Sequence, residues 1–302
     1  MPELLTVFTP TYNRALTLER CYQSLLSQND RRFKWLVVDD GSDDGTEGLM
    51  SEIMSSDCPF PVQYIKKAHG GLHTAYNLAL EASGTELFMC LDSDDFLTDG
   101  AVNAILSFWQ KNKNSSAGGF AALNKKMNGE IIGGGFPDIK ECSLMELRFK
   151  YRHRGDIKMI YRTELLRSAA PIPEYSGEEI LNPFYLFLKA DKKAPLLLMN
   201  SAVCVVDYST NGLHTRVLYD YIHSPKSYQE LRRMMMTAKN APLSYKFRGC
   251  IHYVSSSLFA HDKNFLKASP CRVLTFLALP FGLALNILVR ILQFFREKRC
   301  ES

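Results

Sequence analysis

The feature that most constrains the fold is a regular alternation of short apolar runs with amphipathic stretches over about the first hundred residues. Each apolar run has a composition that favours strands and ends at a turn. The stretches between them repeat apolar residues at helical spacing. Strands that alternate with helices in this way form a mainly parallel, doubly wound sheet with helices on both faces. The predicted strands are Leu4 to Thr9, Phe33 to Val38, Val62 to Ile65 and Glu86 to Leu91. The predicted helices between them are Leu16 to Leu26, a second helix that ends at Met54, and Leu72 to Ala82.

Three carboxylates follow the fourth predicted strand, in Asp92, Asp94 and Asp95. Carboxylates this close repel one another, and a fold tolerates them when a cation lies between the charges. Mg²⁺ and Mn²⁺ prefer oxygen ligands, often one or two carboxylates together with substrate phosphates. The pattern therefore predicts a metal site formed by these aspartates. The alternative is a polar turn in which Asp95 or Thr98 caps the next helix.

Two further polar segments follow predicted strands, Thr9 to Tyr12 and Asp39–Asp40. Pro10 is expected to end the first strand, because proline cannot continue a central strand. Ligands of open α/β sheets bind beyond the carboxyl ends of the strands. We therefore expect both segments to share one crevice with the acidic turn at 92–95.

Four motifs occur in order: T-P-T-Y-N-R at 9–14, V-V-D-D-G-S-D-D-G-T at 37–46, G-G-L-H-T-A-Y-N at 70–77 and L-D-S-D-D at 91–95. Their order and spacing resemble the nucleotide-binding half of the family 2 glycosyltransferases, which have the Rossmann-like GT-A fold. The resemblance is strong over about the first hundred residues and weaker to about Asp207. It implies a nucleotide-diphosphate sugar donor and a Mn²⁺ or Mg²⁺ cofactor. Neither G-x-G-x-x-G nor a Walker A sequence follows a strand, which argues against dinucleotide-binding and P-loop proteins.

The resemblance implies roles for residues that would bind the nucleotide. The ring of Tyr12 would pack on the base, with Thr9 and Pro10 beside it. Asp40 would accept a hydrogen bond from the imide N–H of the base, which favours uracil or thymine. Asp39 would support this loop or reach the ribose.

The resemblance also implies roles around the diphosphate. Asp92 would hold the ribose or the metal, and Asp94 and Asp95 would place the metal against the phosphates. His73 and Asn77 belong to a predicted helix beside the crevice. His73 is expected to bind phosphate near the N-terminus of that helix, or else to cap the helix or face solvent.

An inverting transferase needs a carboxylate within reach of the acceptor hydroxyl. In the family this base usually lies in a G-E-D-like motif, and the best match here is G-E-E at 177–179. The last Asp of the motif is Glu in this chain, and some relatives carry Pro-Glu where Asn182-Pro183 stands. Glu179 is the first choice for the base and Glu178 the second. Ordinary first-turn acids favoured by the helix dipole are the alternative.

The prediction for the whole chain is a GT-A catalytic domain at 1–215 with a helical appendage at 216–302. Residues 1–97 would bind the nucleotide sugar and 98–215 the acceptor. A short strand is expected at Glu130 to Ile132 and two more within Leu196 to Asp207, with helices at Tyr219 to Lys239 and Ser244 to Ala260.

The segment Val273 to Val289 is uncharged and is flanked by basic residues. It is slightly short for a membrane-spanning helix, and Pro280 and Gly282 would kink it. A segment that lies in the membrane interface and is attracted by anionic lipid fits both facts. The alternative is a hairpin of amphipathic helices packed on protein. The first option predicts a cytoplasmic protein bound peripherally to the inner face of the cell membrane.

A formal net charge of +4 does not indicate a nucleic-acid-binding protein, and the eight cysteines contain no C-x-x-C pair. The resemblance instead implies metal-dependent, inverting transfer of a sugar, with UDP-sugar favoured as donor, to a glycan or lipid-linked acceptor in envelope polysaccharide synthesis. A nucleotidyltransferase and a non-catalytic sugar-nucleotide-binding or scaffold protein are the alternatives.

Overall fold

The computed structural model describes residues 2–208 and 217–300. The strands are β1 (Leu5–Thr11), β2 (Phe33–Asp39), β3 (Val62–Lys66), β4 (Leu87–Cys90), β5 (Phe96–Leu97), β6 (Gly119–Lys126), β7 (Glu141–Cys142), β8 (Ile157–Arg162) and β9 (Leu196–Val206). Within the described residues they form one sheet, in the order β3-β2-β1-β4-β8-β6-β9-β5, with β7 paired to β9. β1 to β4 are parallel, as predicted, whereas β8 is antiparallel to both of its neighbours.

Helices cover both faces of this sheet. They are α1 (Ala15–Leu26), α2 (Thr46–Ser55), α3 (Leu72–Ala82), α4 (Ala101–Asn112), α5 (Leu144–Phe149), α6 (Thr163–Ala169), α7 (Phe184–Asp191), α8 (Val217–His223), α9 (Pro225–Met236), α10 (Leu243–Phe259), α11 (Phe265–Ala268), α12 (Arg272–Leu277) and α13 (Leu279–Cys300). Helices α1, α2 and α4 enclose one core, whereas α3, α5, α6 and α7 enclose the other. Leu231 and Met235 of α9 belong to this second core, so the C-terminal helical region packs directly on the sheet domain. The predicted domain boundary at 215/216 lies outside the described residues.

The first strand continues through Pro10, contrary to the prediction that it ends before this residue. The amide of Leu91 donates to the carbonyl of Phe8, and β4 pairs with β1 only as far as Phe8. Since backbone groups point to alternate sides along a strand, the missing N–H of Pro10 would face the side on which β4 has already ended. The strand therefore loses no ladder hydrogen bond.

Two other segments also differ from their predictions. Leu196–Val206 is one strand rather than two, because an irregularity in its pairing with β6, between Ala122 and Asn124, lets it bend without a break. The predicted strand at Glu130 to Ile132 is reduced to one bridge between Lys125 and Ile131.

Prolines divide the C-terminal helices. Pro225 occupies the first turn of α9, so the predicted helix from Tyr219 becomes α8 and α9. Similarly, Pro280 lies in the first turn of α13, and the predicted 273–289 segment spans α12 and the start of α13.

Helix α13 contacts α10 through a narrow stripe formed by Gly282, Asn286 and Val289. A Cβ atom at position 282 would lie 2.5 Å from the side chain of Val254, so glycine allows the two helices to approach closely. The side-chain amide of Asn286 donates to the backbone carbonyl of Ser255 at 3.1 Å. Large apolar side chains elsewhere on α12 and α13 remain exposed, including Val273, Phe276, Leu277, Phe281, Leu283, Ile287, Leu288, Ile291, Leu292, Phe294 and Phe295.

By length and composition alone, one helix among the described residues is long and apolar enough to cross a membrane. Its apolar stretch, Leu279–Arg296, has a mean hydropathy of 1.4, and 17% of it is buried.

Candidate active site

Three polar segments meet at the carboxyl edge of the parallel strands, as predicted. Thr11 at the end of β1 pairs with Asp39 at the end of β2, and the amide of Asp40 donates to the carbonyl of Thr11 at 2.9 Å. The acidic turn at 92–95 follows β4, which lies on the other side of β1. The parallel register therefore brings these three segments to one edge of the sheet, and we call this edge the donor crevice.

The three aspartates of the acidic turn lie in different environments. Asp92 is exposed and Asp94 is partly exposed, whereas Asp95 is buried. One carboxylate oxygen of Asp95 lies 3.4 Å from the ammonium nitrogen of Lys158, a buried residue of β8. The charge of Asp95 is thus already paired inside the protein, and its expected role as a metal ligand stays a prediction. The ammonium group of Lys158 thus offsets the negative charge of Asp95 within the acidic turn.

The charges around Lys158 perturb both partners of the ion pair. Burial together with the carboxylates of Asp92 and Asp94 raises the pKa of Asp95 to about 6, although Lys158 acts in the opposite direction. Burial alone would lower the pKa of Lys158, but Cys204, Asp95 and Asp92 outweigh that effect and raise it. Lys158 is therefore positively charged near neutral pH.

Arg20 of α1 holds the acidic turn from the opposite side. Its guanidinium donates to the backbone carbonyl of Asp94 at 2.7 Å and to the carboxylate of Asp207 at 2.8 Å. Arg20 thus holds the backbone of the turn, and Lys158 holds the turn through the side chain of Asp95. These contacts leave the side chains of Asp92 and Asp94 on the accessible side of the turn.

The residues of this turn fit a divalent metal that is shared with the donor. Among the described residues, no group of three or more His, Cys, Asp or Glu side chains converges on one point. Asp92 and Asp94 nevertheless offer two accessible carboxylates, which is the number that Mg²⁺ commonly takes from protein when substrate phosphates complete its coordination. These two carboxylates therefore suit a metal ion that binds together with a diphosphate.

The carboxylates of Asp39 and Asp40 are engaged by the protein itself. Asp39 accepts hydrogen bonds from the amide and hydroxyl of Ser42 and from the hydroxyl of Tyr64. Asp40 accepts the amides of Gly70 at 2.9 Å and Gly71 at 2.7 Å.

Two side chains also approach the Asp40 carboxylate. Lys67 donates to one oxygen, and the ring of His69 lies 3.0 Å from the other. The same ring nitrogen of His69 lies 3.1 Å from the backbone carbonyl oxygen of Asp40. In this structure Asp40 anchors the Gly70–Gly71 turn, and its expected contact with the base stays a prediction.

An aromatic pair borders the donor crevice. The ring of Tyr12 is 44% exposed and stacks on His69 with centroids 4.4 Å apart. The exposed part of the Tyr12 ring is accessible to a ligand, and its expected packing on the base stays a prediction. The side chain of Thr9, by contrast, is fully buried and accepts a hydrogen bond from the indole of Trp35, so it supports β1 from within the core.

Helix α3 holds the 172–181 loop, in which both candidate bases lie. Asn77 exchanges hydrogen bonds with the backbone of Ile172 and also donates to Glu174, each at 2.8 Å. The buried ring of His73 accepts the amide of Leu181 at 3.4 Å, and burial lowers the pKa of this imidazole. His73 and Asn77 therefore position this loop, and their expected contact with the donor stays a prediction.

The two glutamates of the loop have separate environments. The carboxylate of Glu178 accepts the amides of Lys226 at 2.9 Å and Ser227 at 2.7 Å, at the N-terminus of α9. Glu179 is exposed. The carbonyl oxygen of Glu179 approaches Gly71 so closely that a Cβ atom there would lie 1.7 Å away. The second choice for the base is thus committed to a helix terminus, whereas the first choice is accessible.

A cavity of about 350 Å³ lies beside the 172–181 loop. It extends from His69, beside Tyr12, to Glu179. The residues that line it are His69, Gly70, His73, Thr74, Glu174, Tyr175, Ser176, Gly177, Glu178 and Glu179.

Sequence reasoning missed Arg20, Tyr64, Lys67, His69 and Lys158. Only Lys158 could have been found from the sequence. It lies two residues before the apolar Ile160, and side chains two apart in a strand point to the same face, so this pattern predicts that Lys158 faces inward. The others contact the site only through tertiary packing.

Comparison with known proteins identifies the family. The model for Glycosyl transferase family 2 matches residues 6–166, more than half of the chain. Chondroitin synthase from Pasteurella multocida (strain Pm70) is 28% identical over 133 residues, which are 44% of this chain and 14% of that protein. A GalNAc(5)-diNAcBac-PP-undecaprenol beta-1,3-glucosyltransferase from Campylobacter jejuni is 25% identical over 183 residues, or 59% of this chain and 58% of that protein. The chain thus spans less than two thirds of the length of these relatives.

Solved structures share the fold. S. aureus TarS 1-349 in complex with UDP-GlcNAc matches with a TM-score of 0.63 and 18% identity, over 98% of this chain and 92% of that one. A mannosyltransferase from Pyrobaculum calidifontis, in complex with GDP-Man and Mn²⁺, matches with a TM-score of 0.53 and 18% identity, over 94% of this chain and 74% of that one. The matched family region contains all four sequence motifs, and the alternative of a nucleotidyltransferase finds no support. The chain belongs to glycosyltransferase family 2 and has the GT-A fold.

Proposed function

We propose that this glycosyltransferase transfers a sugar from a UDP-sugar to a lipid-linked or envelope glycan, with inversion and with the help of a divalent metal. The observation that most strongly supports this is the Gly70–Gly71 turn. Its amides bind Asp40 on the donor side, and Gly71 contacts the backbone of Glu179 on the acceptor side. This turn therefore contacts both halves of the proposed site, and Gly70 lines the cavity that lies beside Glu179.

In the proposed reaction, Glu179 accepts the proton of the acceptor hydroxyl as its oxygen forms a bond to the anomeric carbon. The bond from that carbon to the diphosphate oxygen breaks, and the electron pair leaves with UDP. Attack opposite the leaving group inverts the configuration. Asp92 and Asp94 would hold the Mn²⁺ or Mg²⁺, which supplies Lewis-acid stabilisation of the charge on the diphosphate. Lys158 and Arg20 keep the turn in place.

The choice of UDP rests on Tyr12 and on similarity. The exposed ring of Tyr12 offers a stacking surface for a planar base. TarS, whose fold this chain shares, has been solved with UDP-GlcNAc and with UDP. A GDP-sugar is the competing donor, because the Pyrobaculum enzyme was solved with GDP-Man.

Thermal unfolding with UDP-, dTDP- and GDP-sugars, each with and without Mn²⁺, tests the donor. We expect the UDP-sugars to raise the melting temperature most, and only when Mn²⁺ is present. Tyr12→Ala should reduce this stabilisation, whereas Leu16→Ala, a substitution at a highly exposed position near the same strand, should preserve it. A larger effect of GDP-sugars, or stabilisation without metal, would contradict the proposal.

We further propose that the α12–α13 surface binds the cytoplasmic face of a membrane. Eleven large apolar side chains of these two helices are exposed. Removing apolar surface from water is favourable by about 25 cal/mol per Å², so burial of this surface against lipid or protein would be stabilising. Lys267, Arg272 and Arg290 lie in or beside it and would meet anionic headgroups. The Campylobacter relative, whose acceptor is linked to undecaprenol, supports the same location.

Substitution at exposed positions tests this surface without disturbing the contact with α10. The triple variant Ile287→Gln/Ile291→Gln/Phe294→Gln should lose co-sedimentation with anionic liposomes but keep its melting temperature. A matched variant on another surface, Leu16→Gln/Met54→Gln/Met127→Gln, should still co-sediment. The proposal fails if the wild-type chain stays in the supernatant at low salt.

A further inference from the structure

Helix α9 begins with an unusual arrangement for its free amides. The first amides of a helix have no partner within the helix and are usually satisfied by the N-cap side chain. Ser224 occupies the N-cap position, but its side chain makes no capping bond to any described residue. Glu178, a residue 48 positions earlier in the chain, accepts the amides of Lys226 and Ser227 instead. A loop of the sheet domain thus caps a helix of the C-terminal region.

This cap is one of two clamps on the same short segment. On the other side, Glu179 and Leu181 are fixed to α3, through the close approach at Gly71 and the hydrogen bond to His73. Glu178 and Glu179 are neighbours, so the bonds that fix one carboxylate also restrict the backbone of the other. The negative carboxylate of Glu178 is further favoured by the positive end of the α9 dipole.

We infer that Glu178 is a positioning residue and that the N-terminus of α9 sets the direction of the Glu179 carboxylate. The C-terminal helical region is then part of the catalytic apparatus rather than an appendage. This inference rests on the proposed function, in which Glu179 is the base. It also assigns different roles to two adjacent glutamates that both line the cavity: Glu178 binds a helix terminus, and Glu179 is exposed.

Hydrogen–deuterium exchange tests the clamp without any substrate. Glu178→Ala in the full-length chain should raise exchange both at the start of α9 and in the 172–181 loop. Glu164→Ala, which removes an exposed glutamate from the first turn of α6, is the matched control and should change neither. If exchange rises in α9 while the loop stays as in the wild type, the loop is not clamped and the inference is overturned.

Kinetics distinguish positioning from catalysis. With UDP-GlcNAc as donor and water as acceptor, Glu178→Ala should lower kcat by about tenfold to a hundredfold, as expected for a displacement near 1 Å, and should leave KM unchanged. Glu178→Gln keeps one acceptor oxygen and should lose less. In a Glu179→Gln background, Glu178→Ala should cause no further loss.

Two kinetic results would overturn the inference. An unchanged kcat in Glu178→Ala would show that the cap has no effect on the site. Equal losses in Glu178→Gln and Glu178→Ala, both as large as in Glu179→Gln, would make Glu178 the base itself. If the wild-type protein shows no turnover, the proposed function has failed with this donor, and the exchange experiment still decides whether the clamp exists.

Discussion

Gly71→Ala is the substitution whose effect the structure predicts most sharply. Gly71 has φ +89° and ψ 167°, a conformation that is almost confined to glycine and costs other residues about 1–3 kcal/mol. The new Cβ atom would also lie 1.7 Å from the carbonyl oxygen of Glu179, whereas real contacts of this type exceed 3.0 Å. The Glu179 backbone must therefore retreat by at least 1.3 Å.

A displacement of this size is expected to disturb the base more than the donor site. Misplacement of a catalytic group by about 1 Å can lower turnover by about 10²-fold. Asp40 keeps Gly70 and Lys67 as partners, so the loop beside the donor crevice should survive. We therefore expect kcat to fall by about 10²-fold while stabilisation by UDP-sugar is retained, with release of UDP and thermal unfolding as the assays.

Gly100→Ala is the matched control for this prediction. Gly100 also has a positive φ, of 69°, but a Cβ atom there would meet nothing within 4 Å. It should lose about 1–2 kcal/mol of stability from backbone strain alone and keep its turnover. Near-wild-type turnover in a folded Gly71→Ala protein would refute the argument, as would an equal loss of turnover in Gly100→Ala.

Three further predictions concern charged side chains. Lys158→Met leaves the buried Asp95 carboxylate unpaired and should lower the free energy of unfolding, measured in urea, by about 3 kcal/mol. The double variant Lys158→Met/Asp95→Asn should recover part of this loss. Equal stability of Lys158→Met and the wild type would count against the ion pair. Burial raises the pKa of Asp191 to about 6, so its ionisation weakens the fold as the pH rises through that value. Asp191→Asn should accordingly raise the melting temperature more at about pH 7 than at about pH 4, and a gain that does not vary with pH would contradict this. Asp94→Ala should abolish the Mn²⁺-dependent part of donor affinity, measured by calorimetry, in a normally folded protein; an unchanged affinity would exclude Asp94 as a ligand.

Sequence patterns predicted the parallel half of the fold well because each element there has a local signal. Apolar runs and helical spacing located β1 to β4 and the helices between them. The turn residues that follow these strands then predicted the donor crevice, since strand polarity alone brings the carboxyl ends together. The error at Pro10 arose because the pattern did not show that the neighbouring strand β4 is shorter than β1.

The side-chain partners could not be predicted in the same way. Asp95, Asp40, His73 and Asn77 all lie near the predicted site, but each is bound to a partner from a distant part of the chain. A motif gives the position of a carboxylate and not its environment, and burial beside Lys158 or contact with the Gly70–Gly71 turn depends on tertiary packing. The cap between Glu178 and α9 spans two regions that the sequence suggested were separate domains.

The role of Glu179 is the central claim, and turnover by wild type and Glu179→Gln tests it most directly. Both proteins would be assayed for release of UDP from the donor selected by thermal unfolding, with Mn²⁺ and a bacterial lipid extract as the source of acceptor. Glu179→Gln should bind the donor like the wild type but lose about 10²–10⁴-fold in turnover, because the amide cannot accept the proton. Turnover by Glu179→Gln at the wild-type rate would contradict the account and place the base elsewhere.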